Sequence, residues 1–268
     1  GSKRWLETQK PIKKQLHGSD ANFEFAVKFF EPNPEELKND YTRYLMALQI
    51  REEIATGGLP CSFSAQALLG SYVIQSEFGD YDPLQHGQDY LDGLVFAPEQ
   101  SAELILKIKE LHKTHKGLTP MEADLQYLEY ARKLTLYGVD LHEARDSEGA
   151  EIHVGVSFAG IAIYKDQIRQ NKFSWPTIDE VKYKGRNFFV KIKPGEYQAF
   201  ISTVVFKTPN DRATKELYKS VVEHHTFYRL REPDSPKGGT LPRLHSRFRY
   251  SDRTLFQLRQ GAYNSLPR

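Results

Sequence analysis

A chain of 268 residues is long for one hydrophobic core, and its 39% hydrophobic, 12% aromatic and 27% charged residues describe a folded globular protein of two compact domains, or one large domain with tails, rather than a disordered chain. The formal net charge of +2 is too small to indicate nucleic-acid binding by itself, and the single cysteine, Cys61, excludes an internal disulfide framework or a cysteine-built zinc cage and fits a reducing cytosol. No apolar run approaches the roughly 20 residues of a membrane-spanning helix, and no signal-peptide pattern opens the chain.

The opening KRWLETQKPIKKQL is basic. It leads into NFEFAVKFF, where Phe23, Phe25, Val27 and Phe29 alternate as a half-buried strand does, so this segment is expected to join a sheet whose other strands lie elsewhere. The period then changes. Tyr41, Tyr44, Leu45 and Leu48 recur at helical spacing before Gly57-Gly58, and Leu68, Leu69, Tyr72 and Val73 mark a second helix ending near Gly79. Leu104, Ile108 and Leu111 mark a third, ending near Gly117. The clearest start is TPMEADLQYLEYARKL: Thr119 caps, Pro120 suits the first turn and Glu122 completes a capping box, with Leu125, Leu128 and Leu134 facing inward and Gly138 as the stop. Residues 33–137 therefore form a helical bundle.

After Gly138 the pattern turns to strands: EIHVGVSF, GIAIYKD, TIDEVKYKG, NFFVKIKPG and FISTVVFKTP, separated by turn residues. In the first, Ile152, Val154, Val156 and Phe158 share one face. A last helix begins after Pro209-Asn210, so a small antiparallel sandwich or partly open barrel closed by one helix is expected. The remainder, from REPDSPKGGTLPR onward, is rich in Pro, Gly and Arg and reads as a mobile tail.

The segment VEHHTFYRL poses the sharpest question about chemistry. Adjacent residues on a helix point about 100° apart, so His224 and His225 cannot both ligate one ion, and no metal site is expected. Leu217, Val221 and His224 share one helical face, which makes His224 a packed histidine, while Tyr218, Val222 and His225 form the neighbouring face. Motifs of serine hydrolases, zinc proteases, P-loops and dinucleotide sites are absent, so neither catalysis nor a cofactor is expected. Cys61 reads as a structural thiol, and Asp80 and Asp82 as loop caps rather than a calcium site. Lys182, Lys184, Arg186, Lys191 and Lys193 cluster on two neighbouring strands. They form either a solvated face or a surface for anionic lipid headgroups.

The phrases DYTRYLMALQIREEI, LPCSFSAQALLGSYVIQSEFGDYDP, LYGVDLHEARDSEG, VEHHTFYRL and RFRYSDRT resemble segments of a FERM module of the protein 4.1 group, and the resemblance runs from about Trp5 to Gln260. It implies an α+β multi-lobe fold. The remnant of a ubiquitin-like first lobe would occupy residues 3–31, an acyl-CoA-binding-protein-like helical second lobe 33–137, and a β-sandwich like pleckstrin-homology and phosphotyrosine-binding domains, capped by a C-terminal helix, 138–231. A FERM-adjacent tail, 232–268, would follow, largely flexible. Two departures stand out: most of the first lobe is missing, and the family's LWK and RYSGRT are here Leu217-Tyr218-Lys219 and Arg249-Tyr250-Ser251-Asp252-Arg253-Thr254.

The resemblance further implies a groove between the fifth strand and the final helix of the third lobe, lined by Ile178, Val181 and Tyr183 on one side and Tyr218, Val222 and His225 on the other. A peptide adds there as a strand. In that setting Val222→Glu is expected to weaken binding by roughly several kcal/mol and leave the fold intact. Implied partners are cytoplasmic tails of transmembrane proteins, acidic phospholipids and scaffold proteins, at the inner face of the plasma membrane and cell cortex. The tail offers Ser251 and Thr254 as phosphorylation sites, with Arg247, Arg249 and Arg253 beside them. Two alternatives stand beside the adaptor reading. One is a targeting module of a larger tyrosine phosphatase, whose signature is not in this chain because Cys61 has Ala67, not arginine, six residues on. The other is an autoinhibited module whose groove holds its own tail.

Overall fold

The computed structural model describes residues 5–6, 10–15, 25–87, 89–194, 202–233 and 248–264. It divides into two compact units, one of residues 6–137 and a second that takes in 138–268.

The first unit is helical: a single turn α1 (Ile12–Gln15), then α2 (Asp40–Ala55), α3 (Phe63–Phe78), α4 (Ala102–His112) and α5 (Pro120–Ala131). Each of the last four begins where a side chain meets an otherwise unpaired backbone N–H: Asn39, Ser62, Ser101 and Thr119 accept from Thr42, Ala65, Leu104 and Glu122 respectively. Thr119 and Glu122 form the expected reciprocal box. Helix α3 lies at the centre, packed on both α4 and α5. Its Gly70 permits the close approach to α4, because a Cβ there would sit 2.7 Å from Ile108 Cδ1.

Three expectations change in this unit. Helix α2 buries Met46, Ala47, Ile50 and Ile54, and leaves Tyr41, at 68% exposure, with Tyr44 and Leu45 outside. Both sets have helical spacing, so periodicity alone fits either; the set without aromatic rings or hydroxyls packs inward. Helix α5 stops at Ala131, seven residues before Gly138, in a run of turns. The segment 25–30 is not a strand: Phe25 is 90% exposed, while Phe30 is buried and meets Tyr137 edge-on at 5.2 Å. In place of a neighbouring strand, the side-chain amide of Gln49 on α2 bonds both backbone groups of Val27. Phe23 lies outside the described residues.

The second unit is a seven-stranded antiparallel sheet of β1 (Asp140–Arg145), β2 (Glu151–Ser157), β3 (Gly160–Lys165), β4 (Ile168–Ser174), β5 (Ile178–Lys184), β6 (Asn187–Ile192) and β7 (Ser202–Lys207), in the order β4-β3-β2-β1-β7-β6-β5. Strands β1 and β7 meet at one register pair, Arg145 with Lys207, so the sheet is two smaller ones hinged there. Helix α6 (Asp211–Arg229) packs on β5, β2, β1 and β6, and α7 (Leu255–Asn264) packs on α6. Alternate residues of the strands meet Leu217, Tyr218, Val221 and Val222 of α6 in one core with Trp175. Phe158, expected on that face, is exposed at the end of its strand.

Two strands escaped the hydrophobic pattern, for different reasons. The segment DLHEAR of β1 holds only Leu141 and Ala144 as apolar residues. Strand β4 is at the sheet's edge, with its first five residues exposed, so nothing selects an apolar alternation. The β3–β4 link is a two-residue hairpin in which Asp166 and Gln167 both have positive φ, the conformation that matches strand twist.

Candidate functional site

Strand β5 is the other edge of the sheet, and α6 runs beside it. The six residues that sequence reasoning assigned to this seam are brought together, but not as an open groove. Ile178, Val181, Tyr218 and Val222 belong to the core, with Val222 only 1% exposed. Tyr183 and His225 are partly exposed and form the rim. Tyr183 sits 5.0 Å from the ring of Tyr218, and His225 meets Trp175 edge-on at 5.3 Å. Burial, with Arg229 adding to it, pushes the His225 imidazole down to about 4, so it is neutral at physiological pH. Its Nδ1 is buried and has no hydrogen-bond partner among the described residues. The expectation that Val222→Glu would spare the fold is therefore withdrawn: the carboxylate would enter the lobe's own core.

His224 points elsewhere and is fully buried. Its Nδ1–H donates to the Ser220 carbonyl one turn back at 2.8 Å. Ser220 Oγ donates in turn to Asp140 on β1, which also accepts from His142 Nε2 at 3.0 Å. Burial pushes the Asp140 carboxyl upward, but the His142 hydrogen bond and charge, the Ser220 hydroxyl and His224 outweigh it and hold the group at about 2. The serine hydroxyl donates its hydrogen bond to the carboxylate and is buried, so this Ser-His-Asp set is a pin between helix and sheet rather than a nucleophile.

The lysine cluster is partly spent within the lobe. Lys182 pairs with Glu180 at 2.9 Å, Lys191 with Asp179 at 2.9 Å, and Lys193 Nζ donates to the Pro176 carbonyl at 3.1 Å. The register places Lys182, Lys184, Phe189, Lys191, Val205 and Lys207 on the outer face of β5–β7. Lys207, which the sequence reading missed, is recoverable only from the pairing of Asn187 with it. Lys184 and Arg186, at the β5–β6 turn, are exposed and make no ion pair among the described residues. Those residues also contain no group of three His, Cys, Asp or Glu able to hold a metal ion, and no helix long and apolar enough to cross a membrane. Cys61 is partly buried, and burial raises its thiol to about 11.

Residues 32–142 match the model of the FERM central domain, and 146–236 that of the FERM C-terminal PH-like domain. Human band 4.1-like protein 2 is 52% identical over 260 residues, 97% of this chain and 26% of the relative. The chain belongs to the FERM family, in its protein 4.1 group. Bovine protein 4.1 is 51% identical over 261 residues, again 97% of this chain, and 42% of that protein. This FERM chain thus spans less than half the length of these relatives. Among solved structures, the FERM and C-terminal domain complex of Drosophila Merlin matches with a TM-score of 0.73 and 25% identity, over 84% of this chain and 79% of that one.

Part of the tail of this FERM chain is ordered, which the composition did not suggest. Phe248 packs against the third-lobe core, with Lys219 Nζ 5.1 Å from its ring centroid. Tyr250 is buried, and its hydroxyl donates to the Arg253 carbonyl at 3.2 Å. Thr254 is fully buried: its hydroxyl donates to the Arg231 carbonyl at 2.8 Å and accepts from the backbone of Gln257, capping α7. In this conformation a kinase cannot reach Thr254, whereas Ser251 is exposed. Arg247 lies outside the described residues.

Proposed function

We propose that this chain is a membrane–cytoskeleton adaptor module that binds cytoplasmic tails of transmembrane proteins, together with acidic phospholipid, at the inner face of the plasma membrane. The observation that carries the reading is the edge strand β5 running beside α6, with Tyr183 and His225 half-buried at the seam. An edge strand offers backbone N–H and C=O groups to an added strand, and the rim side chains supply selectivity. The outer face of β5–β7, where Lys184, Arg186 and Lys207 flank Phe189 and Val205, suits a surface of anionic headgroups. Co-sedimentation with phosphatidylserine and phosphatidylcholine vesicles tests the lipid part. Lys184→Glu with Arg186→Glu is expected to weaken phosphatidylserine binding by roughly 2 kcal/mol, on the order of thirtyfold. Equal binding to both vesicles by the unaltered chain would remove lipid from the reading.

A second reading rests on the tail. Phe248 abuts the same core that contains Tyr218 and Val222, so the chain's own segment competes for the seam and holds the module autoinhibited. Phe248→Ala is then expected to raise affinity for tail peptides; unchanged affinity would dismiss autoinhibition and leave the adaptor reading intact. A role as the targeting module of a larger tyrosine phosphatase would have the same two binding faces and differ only in what the parent protein attaches.

A further inference from the structure

The two edges of the third-lobe sheet are built differently. Beside β5 runs α6, and two lysines of that side, Lys182 and Lys191, are paired with the lobe's own acids. Strand β4 closes the other edge, its residues 168–172 are exposed, and Lys165, Arg169 and Lys172 make no ion pair among the described residues. In a regular strand Arg169 and Lys172, three residues apart, would face opposite sides of the sheet. A bulge alters this. The register shifts between Ile163 and Tyr164, so Arg169 stands opposite Tyr164 and Lys172 opposite Ala162, which are two apart on β3 and share a face. It is the outer face, because Ile161 and Ile163 point into the core. Burial pushes the Tyr164 phenol up while Arg169 draws it down, which sets the guanidinium beside that ring. The cross-strand row through Arg169 continues to Tyr164, His153 and Glu143, so its acid is three strands, roughly 14 Å, away. At the edge itself Asp166, in the hairpin, is set against three cations. The backbone is open as well: the Lys172 N–H donates to the side chain of its neighbour Asn171 at 2.7 Å, a place that the carbonyl of an added strand would take.

We propose that β4 is a second docking edge, which takes an extended acidic segment of another polypeptide as an eighth strand, its backbone on β4 and its outer-face carboxylates at Arg169 and Lys172. Cations at a sheet edge keep two copies of the chain from pairing there, since like charges would meet, and the same cations attract a strand of opposite charge. Main-chain bonds then supply affinity, and the two cations on one face select for acids at that face of the ligand. Because β4 and β5 end the sheet on opposite sides, both edges can be filled at once, and one lobe would join two polypeptides. This edge uses none of the residues assigned to the seam or to the basic face of β5–β7, so it stands whatever binds there.

The test titrates the full ¹⁵N-labelled chain with a synthetic peptide of alternating glutamate and threonine, and with the same peptide carrying glutamine for glutamate. Amide shifts are expected to cluster at residues 168–174 with the acidic peptide and to be missing with the glutamine one. A third peptide, N-methylated at every amide, keeps the charges and loses its N–H donors; it is expected to bind on the order of tenfold more weakly. Arg169→Glu with Lys172→Glu, both at exposed positions, is expected to weaken the acidic peptide on the order of thirtyfold and to admit a peptide of alternating lysine and threonine, with the amide shifts of β2 and β6 unmoved. Equal binding of the glutamine or the N-methylated peptide, shifts centred on Lys184 and Arg186 instead, or full affinity in the double variant would overturn the proposal. So would β4 shifts raised by phosphatidylserine nanodiscs and not by the peptide, which would give this edge to a membrane surface. If membrane-protein tails fail to bind at β5 while the acidic peptide binds at β4, the adaptor reading loses its seam and the second edge remains.

Discussion

His112 in the helical lobe and His225 in the third lobe are both withdrawn from water, yet they are built to opposite ends. His112 is fully enclosed and uses both nitrogens: Nε2–H donates to the Gly79 carbonyl at 2.8 Å, and Nδ1 accepts from the Tyr90 hydroxyl at 3.0 Å. His225 sits at a rim with Nδ1 unmatched by any described residue. A buried polar group whose valences are all met fixes structure; one left short at an accessible edge is where a ligand gains most. By that standard the helical lobe's interior histidines are structural, and the seam of β5 and α6 is the place to look for binding.

The comparison can be broken most forcefully at Val222. Its replacement by glutamate drives a charge into the third-lobe core, and a loss of about 4 kcal/mol or more is expected, seen as collapse of hydrogen-exchange protection across β5 and β6. Retained protection would mean that the residue lines an open groove after all. Next is Asp140→Ala, which leaves His142 and Ser220 without their shared acceptor. It should lower denaturant stability by about 3 kcal/mol, whereas a cost below 1 kcal/mol would show that the pin is dispensable.

Acid sharpens the contrast in a graded way. His225, held at about 4 in the fold, binds its proton more readily when unfolded, so its contribution is complete above the unfolded pKa near 6.5 and is lost as pH falls from there toward 4. That amounts to on the order of 3 kcal/mol. His112 and His115, lowered first by burial, act with the same sign in the helical lobe. Asp140 follows at lower pH, its contribution present above 3.8 and lost as pH falls through about 2. Stability unchanged between pH 7 and 5 would contradict the neutral, buried state of these rings. The smallest effect is at Thr254, where alanine removes the cap of α7 and the bond to Arg231 for about 1 kcal/mol, monitored by protease sensitivity of residues 248–264.

Caps and turns were the most legible features. Thr119-Pro120 with Glu122, and the glycines after α3 and α4, act through local chemistry that a sequence carries openly. Which face of α2 turns inward was not, because two sets of residues share the helical period and only the neighbours decide between them. Strands β1 and β4 were hidden by polar sequence at positions where pairing, not burial, makes the strand. At the candidate site the six residues were rightly placed together, since β5 and α6 are adjacent, but their depth was not readable: helical phase and strand phase do not say where the core ends and the rim begins. The ion pairs that occupy Lys182 and Lys191 come from Glu180, two residues back on the same strand, and from Asp179, which the pairing of β5 with β6 brings near Lys191.

The most direct measurement is hydrogen exchange on the full chain with and without synthetic 20-residue cytoplasmic juxtamembrane segments of single-pass membrane proteins. A segment that binds should add protection to the backbone of Ile178–Lys184 and perturb His225, and Tyr183→Ala with His225→Glu should abolish that protection while leaving β6 and α3 unchanged. Binding that protects neither β5 nor α6, or that survives both substitutions, would contradict the seam as the docking site of this FERM module.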